Sequence, residues 1–262
     1  MRNVAIIAAA GWKGAGHGFK GQLADIPEIC LPLETCPESL LPLGDGSTVL
    51  SRWVRQLRDH DFTAIFAVVG QPGCLFPTIR DVPGTAHHTT PEQAAVCATQ
   101  TPWTWERLNY VASLATPILS PDPNYANFED SYARGLDAIG SDWDRLLMLH
   151  GDTVVSDGLL QTTLAQEPSC FVELHPYHNL IWLTREHAEA YRELQEERHR
   201  RQGGGCALAW CNAVKGLGIR LYKLGEAFPK HFYEWRDIDY RGDFQAVTTS
   251  REGRPSWMEQ YG

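Results

Sequence analysis

The sequence has no run of about 18 apolar residues, the length that a membrane-spanning helix needs, so no such span is expected. It has no surplus of positive charge. Its 23 Lys and Arg stand against 32 Asp and Glu, a formal charge of −9. A general nucleic-acid binder carries a basic face, so that class is set aside. Small anionic substrates stay open, because local groups and metal ions can hold them. Cysteine is present without a pairing pattern. Cys30, Cys36, Cys74, Cys97, Cys170, Cys206 and Cys211 are odd in number and show no C-x-x-C spacing. Reduced thiols in a cytoplasmic protein, with no structural disulfide, are the expectation. Two familiar loops are missing as well, the G-x-x-x-x-G-K-[ST] phosphate loop and the G-x-S-x-G serine elbow, and the stretch Ala9–Gly16 directly after the first apolar run is not G-x-G-x-x-G. The short apolar stretch near Met1 fits a strand better than a signal peptide.

What is present is an α/β alternation. At 43% hydrophobic and 21% charged, the 262 residues suit a packed core of one large domain or two small ones. Val4–Ala9 is an apolar β run. Val49, Leu50, Trp53, Val54 and Leu57 recur at helical spacing behind a cap at Ser47 or Thr48. Phe62–Val69 is a second buried strand. Residues 71–127 are proline-rich and hard to read, beyond a helix start at Pro91-Glu92 and a helix over Trp105–Leu114. Then come a helix over Glu129–Ile139, a strand at Leu146–Leu149, and a helix capped by Ser156 or Asp157 and running through Leu164. Strands Phe171–Leu174 and Leu180–Leu183 precede a long charged helix from Thr184 to Arg201, read as a solvated surface helix. A helix at Ala207–Lys215, a strand at Ile219–Leu224, a short strand at Trp235–Asp239 and a helix at Asp243–Thr249 complete the pattern. Such alternation implies a largely parallel sheet with helices on both faces and right-handed crossovers.

Ligands of open α/β sheets bind outside the carboxyl ends of the strands. Ala9-Ala10-Gly11-Trp12-Lys13-Gly14-Ala15-Gly16 follows the first strand. Glycines let backbone N–H groups approach phosphate oxygens and Lys13 adds charge, although a plain tight turn reads equally from such a loop. Asp152 follows Leu146–Leu149 directly, where a carboxylate can bind Mg²⁺ or cap a turn. In Trp235-Arg236-Asp237-Ile238-Asp239-Tyr240-Arg241-Gly242-Asp243-Phe244, alternation puts Asp237 and Asp239 on one strand face. His150, His175 and His178 are a rival zinc cluster. An H-x-x-H in a loop recurs by chance, however, and the sequence fixes no third ligand.

The order of these features resembles the nucleotidyltransferases that make nucleotide-diphospho-sugars and related activated alcohols, most nearly the sugar-phosphate and phosphocholine cytidylyltransferases. The resemblance spans nearly the whole chain. Val4-Ala5-Ile6-Ile7-Ala8-Ala9-Ala10-Gly11 is similar to the family's first strand and loop. Pro37-Glu38-Ser39-Leu40-Leu41-Pro42-Leu43-Gly44 is similar to P-K-x-L-L-P-[VIL]-G. Asn127-Phe128-Glu129-Asp130-Ser131-Tyr132 resembles the family's helix start, and Leu147-Met148-Leu149-His150-Gly151-Asp152 its metal-binding G-D. The Trp235–Phe244 run matches W-x-E-I-D-T-x-E-D-L and is the most specific. Two positions depart from the pattern. No arginine lies between Arg2 and Arg52, so Lys13 or Lys20 would serve for the loop arginine, and Glu38 stands where the family has lysine.

The resemblance implies a Rossmann-like three-layer α/β/α fold with a mostly parallel, mixed central sheet. It implies one domain over 1–262, with residues 1–150 as the nucleotide-binding half and 151–262 as the acceptor-binding half. The implied reaction joins an NTP to a phosphorylated small-molecule acceptor and releases pyrophosphate, with Mg²⁺ held by Asp152 and Asp239 and with Asp237 as a further ligand or neighbour. Ala9, Ala10, Gly11, Gly14 and Asn127 would contact the nucleotide, and Lys13 and Lys20 its phosphates. Tyr177, Trp182 and Trp210 would line the acceptor or belong to the core. A glycosyltransferase of the same fold is an alternative, disfavoured because His150-Gly151-Asp152 replaces its usual Asp-x-Asp. A non-catalytic nucleotide-binding descendant is another, favoured by Glu38 and the absent loop arginine.

Overall fold

The computed structural model describes residues 1–10, 26–43, 45–72, 102–120, 128–167, 169–175, 178–202 and 216–237. The strand β1 (Asn3–Ala8) is buried on both faces, which is why it reads as a continuous apolar run. It pairs in parallel with β2 (Phe62–Gly70) on one side and β4 (Arg145–His150) on the other. The full order is β3 (Thr116–Ser120), β2, β1, β4, β7 (His178–Thr184), β6 (Cys170–His175), β8 (Arg220–Lys223). Only β7 runs against the others in this sheet. The mixed, mostly parallel sheet expected from the sequence is present.

Alternation along β1 divides the core between two helical layers. Ala5, Ile7 and Ala9 join a cluster with α1 (Val49–Asp59), α2 (Trp105–Leu114) and α4 (Asp157–Leu164). Val4, Ile6 and Ala8 join another with α3 (Phe128–Ala138) and α5 (Arg185–Gln202). Helix α3 packs so close that a Cβ on Gly135 would fall 2.6 Å from the Ile6 side chain. Helix starts follow local chemistry. The Thr48 hydroxyl accepts from the Ser51 amide while the Ser51 hydroxyl accepts from the Thr48 amide, a reciprocal box. Thr104 and Ser156 cap α2 and α4 by the same kind of bond. Over residues 185–194 most of α5 stands outside the core, but Ala188 and Tyr191 are fully buried.

Two strands went unread in the sequence. β3 carries Pro117 and sits at the sheet edge, where a missing N–H is tolerated. β5 (Thr153–Val155) is too short for a period to show, and it pairs antiparallel with β9 (Trp235–Asp237) outside the main sheet. The proline-containing stretch after Ile26 packs as three 3-10 turns. Arg107 of α2 pins it by donating to the carbonyls of Ile29, Leu31, Pro32 and Thr35, and also to that of Pro102. The helices expected at Pro91-Glu92, Ala207–Lys215 and Asp243–Thr249 lie outside the described residues. None of the described helices is long and apolar enough to cross a membrane.

Candidate active site at the switch point of the sheet

β1 leads through α1 to β2 on one side, and the chain later returns to place β4 on the other side. The carboxyl ends of β1 and β4 are therefore a topological switch point, where open α/β sheets bind ligands. Ala8 lies opposite His150 in the register. Gly151 then donates its N–H to the Ala8 carbonyl at 2.9 Å. A Cβ at Gly151 would lie 2.8 Å from both the Ala8 oxygen and the Ala9 Cα, so only glycine lets the two chain segments touch here.

Beyond Gly151, Asp152 is held from the far side by β5. Trp53 of α1 donates its indole N–H to the Thr153 carbonyl at 2.6 Å, and Arg52 and Gln56 both donate to the Val155 carbonyl. The pairing with β9 places Asp237 opposite Thr153, one residue from Asp152. Thus the family-like G-D and the start of the W-x-E-I-D-like run meet, although they are far apart in the chain.

Asp152 is only 7% exposed. The Thr153 hydroxyl donates to its Oδ1 at 3.3 Å, and among the described residues no lysine or arginine pairs with it. Its nearest chemical company is unexpected. His150, at the end of β4, and His178, at the start of β7, place ring nitrogens so that one ligand atom from each histidine and a carboxylate oxygen of Asp152 all lie within 4.8 Å of one another. The two imidazoles have centroids 5.0 Å apart. The antiparallel pairing of β4 with β7 brings the end of one beside the start of the other. Tyr132 of α3 meets His150 edge-on, and Trp235 of β9 flanks His178. Burial, with the negative charge of Asp152 added, pushes the Tyr132 hydroxyl well above its ordinary range and keeps it a neutral phenol.

The loop side of the switch point is partly visible. Ala9 and Ala10 are buried. The Ala9 N–H donates to Val68, the Ala9 carbonyl accepts from Ser39, and the Ala10 carbonyl accepts from the Trp103 indole. These contacts commit the backbone at Ala9 to the protein itself. Glu38 sits beside Ser39 in a 3-10 turn and is 1% exposed. Gly11, Lys13, Gly14, Lys20, Asn127 and Asp239 lie outside the described residues, as do His175's side chain, Tyr177, Trp210 and the side chain of Asp237. Trp182 is a core residue, stacked at an angle on Phe62 with Arg145 over its ring.

The donors brought together among the described residues are two nitrogens and one oxygen. Asp152 suits Mg²⁺, which takes oxygen ligands, but the two imidazoles do not. The sequence offered His150 beside Gly-Asp as a signal. It also grouped His150 with His178 and left a third ligand open; the return of β7 along β4 sets both histidines against Asp152.

No protein-family model and no curated protein sequence matches the chain. Solved structures do. A nucleotidyl transferase from Methanothermobacter superposes with TM-score 0.53 at 16% identity, covering 99% of each chain. The CTP:phosphocholine cytidylyltransferase from Streptococcus pneumoniae gives TM-score 0.52 at 13% identity, covering 95% of this chain and 98% of that one. The inositol-1-phosphate CTP transferase from T. maritima gives 0.52 at 13%, covering 97% and 98%. The chain has the nucleotidyltransferase fold. At these identities the likeness concerns the fold, and the chemistry must be argued from the site.

Proposed function

We propose that the protein is a nucleotidyltransferase that joins an NTP to a phosphorylated small-molecule acceptor and releases pyrophosphate. The observation that carries this reading is the β5–β9 pairing, which sets Asp237 opposite Thr153 beside Asp152 at the switch point. Asp239 is two residues farther along the chain, outside the described residues. Asp152 and Asp239 are the proposed Mg²⁺ carboxylates, with Asp237 beside them. Bound there, Mg²⁺ would neutralise the triphosphate charge that repels an anionic acceptor.

The chain's own residues have a limited task. The acceptor phosphate is already anionic at neutral pH and needs no general base. Its oxygen attacks the α-phosphorus in line and pyrophosphate leaves, so catalysis rests on positioning and on charge stabilisation. Backbone amides of Ala10, Gly11 and Gly14, with Lys13 and Lys20, are proposed to hold the nucleotide, and Asn127 to contact it. The β1–β4 pairing and the Gly151–Ala8 hydrogen bond hold the end of β1 beside Asp152. The acceptor is assigned to the 151–262 half.

The test is a thermal-shift screen with the five common NTPs, with and without Mg²⁺, followed by pyrophosphate release with sugar phosphates and small phospho-alcohols. A nucleotide at 100 times its dissociation constant should stabilise the fold by about 2.7 kcal/mol. No Mg²⁺-dependent shift with any NTP removes the reading. One observation favours a second reading, a non-catalytic nucleotide binder. Glu38 is buried beside the first loop, where the resembling family has lysine. Nucleotide binding without turnover across the acceptor panel would select it.

A further inference from the structure

A carboxylate taken out of water is stable when a cation or several hydrogen bonds compensate it. Asp152 is more than nine-tenths buried, and the described residues give it one long hydroxyl bond and no lysine or arginine. What they place against it instead are two imidazoles, His150 at 1% and His178 at 5% exposure. Three acidic groups on a surface would be unremarkable. Two imidazoles and a carboxylate gathered in the interior, with ligand atoms within 4.8 Å of one another, are a donor set. Ligands of a tetrahedral ion with bonds of about 2.0–2.1 Å stand roughly 3.3 Å apart, so side-chain movements on the order of an ångström close the set.

The three donors do not depend on one another for their placement. His150 is fixed by the β1–β4 register, His178 by the β4–β7 and β6–β7 pairings, and Asp152 by Gly151 and the anchored β5. Tyr132 and Trp235 flank the imidazoles with aromatic rings, which limits water and strengthens any charge interaction inside. Imidazole nitrogen is the ligand of zinc, cobalt and their neighbours, and a poor one for magnesium.

We propose that His150, Asp152 and His178 form a binding site for a divalent transition-metal ion of the zinc class, with a fourth position left to water or to an oxygen of a bound ligand. The inference rests on the reading of Asp152 as a metal carboxylate and deepens it. A carboxylate has two oxygens, so Asp152 can serve this ion and the proposed Mg²⁺ together.

The experiment titrates chelator-treated, full-length protein with Co²⁺ alone, reading visible absorption and calorimetric stoichiometry, and then displaces it with Zn²⁺ and, separately, with millimolar Mg²⁺. One equivalent of Co²⁺ with visible bands, displaced by Zn²⁺ and retained in Mg²⁺, is expected. His178→Gln and His150→Gln should each weaken uptake by at least about tenfold to a hundredfold, since changes to outer-shell partners alone reach that range. Where a histidine variant lowers the thermal midpoint, Asp152→Asn, nearly identical in shape, is read in its place. Absence of Co²⁺ uptake, its displacement by Mg²⁺ at equal concentration, or uptake unchanged in all three variants overturns the proposal. The NTP thermal shift separates this from the functional reading. Co²⁺ uptake without any NTP shift removes the transferase reading and keeps the site. An NTP shift without Co²⁺ uptake does the reverse.

Discussion

β1 and β4 lie side by side in register over six residues and are buried on both faces, yet they end differently. β1 ends in Ala8, Ala9 and Ala10, whose backbone groups are taken up by Gly151, Val68, Ser39 and Trp103. β4 ends in His150-Gly151-Asp152, whose side chains face one another and His178. One end is scaffold, built from small residues so that neighbours can press in. The other carries buried polar side chains, His150 and Asp152, whose donor atoms lie close to those of His178. The pair shows how a switch point can be divided: small residues at both ends allow the close approach, and the polar side chains that the proposals use come from β4 alone.

The comparison can be broken at either end. Asp152→Asn should reduce Mg²⁺-dependent pyrophosphate release by at least about a thousandfold while the thermal midpoint stays near wild type, because the change removes charge and keeps shape. A large fall in midpoint would make Asp152 scaffold. Arg107→Met acts away from Asp152, on the packing of the 29–35 segment. It leaves the buried carbonyls of Thr35 and Pro102, and the part-buried one of Ile29, without this donor, at about 1–3 kcal/mol for each one that stays unsatisfied. Chemical denaturation should show a loss of several kcal/mol, with Co²⁺ uptake per folded molecule unchanged.

Gly151→Ala tests the contact between the two ends. The added Cβ meets backbone, not a side chain that can move, so about 1–3 kcal/mol of strain is expected, a fall in midpoint on the order of 2–10 °C. Thr48→Ala removes the box that starts α1, the helix that anchors β5, and should cost about 1 kcal/mol. A pH-dependent test lies at Cys170 in β6. Burial raises its thiol from the ordinary 9.0 to about 12. The unfolded chain loses that proton first as pH rises. The stabilisation is therefore complete below about pH 9 and is lost between about 9 and 12. Wild type should lose more stability than Cys170→Ala between pH 8 and 10.5, as read by thermal midpoints.

Legibility from sequence followed the range of the interaction. The strands at 3–8, 62–70 and 145–150 and the helices at 49–59 and 105–114 announce themselves, because apolar period and Thr caps act within one or two turns. β3 hid behind Pro117, since an edge position is visible only after the sheet is assembled. The packing of the Ile26–Leu43 stretch is not written locally, because Arg107, the donor that pins residues 29–35, lies far along the chain.

By itself the sequence determined the α/β alternation, the helix starts, the glycine at 151 and the acid at 152, all consequences of local backbone preference and burial period. The tertiary structure alone decided that β9 would lie against β5 and that β7 would turn back along β4. Those pairings bring Asp237 beside Asp152 and His178 beside His150. No local signal could do so, because a site assembled from distant strands exists only once the sheet order sets which strand ends are neighbours.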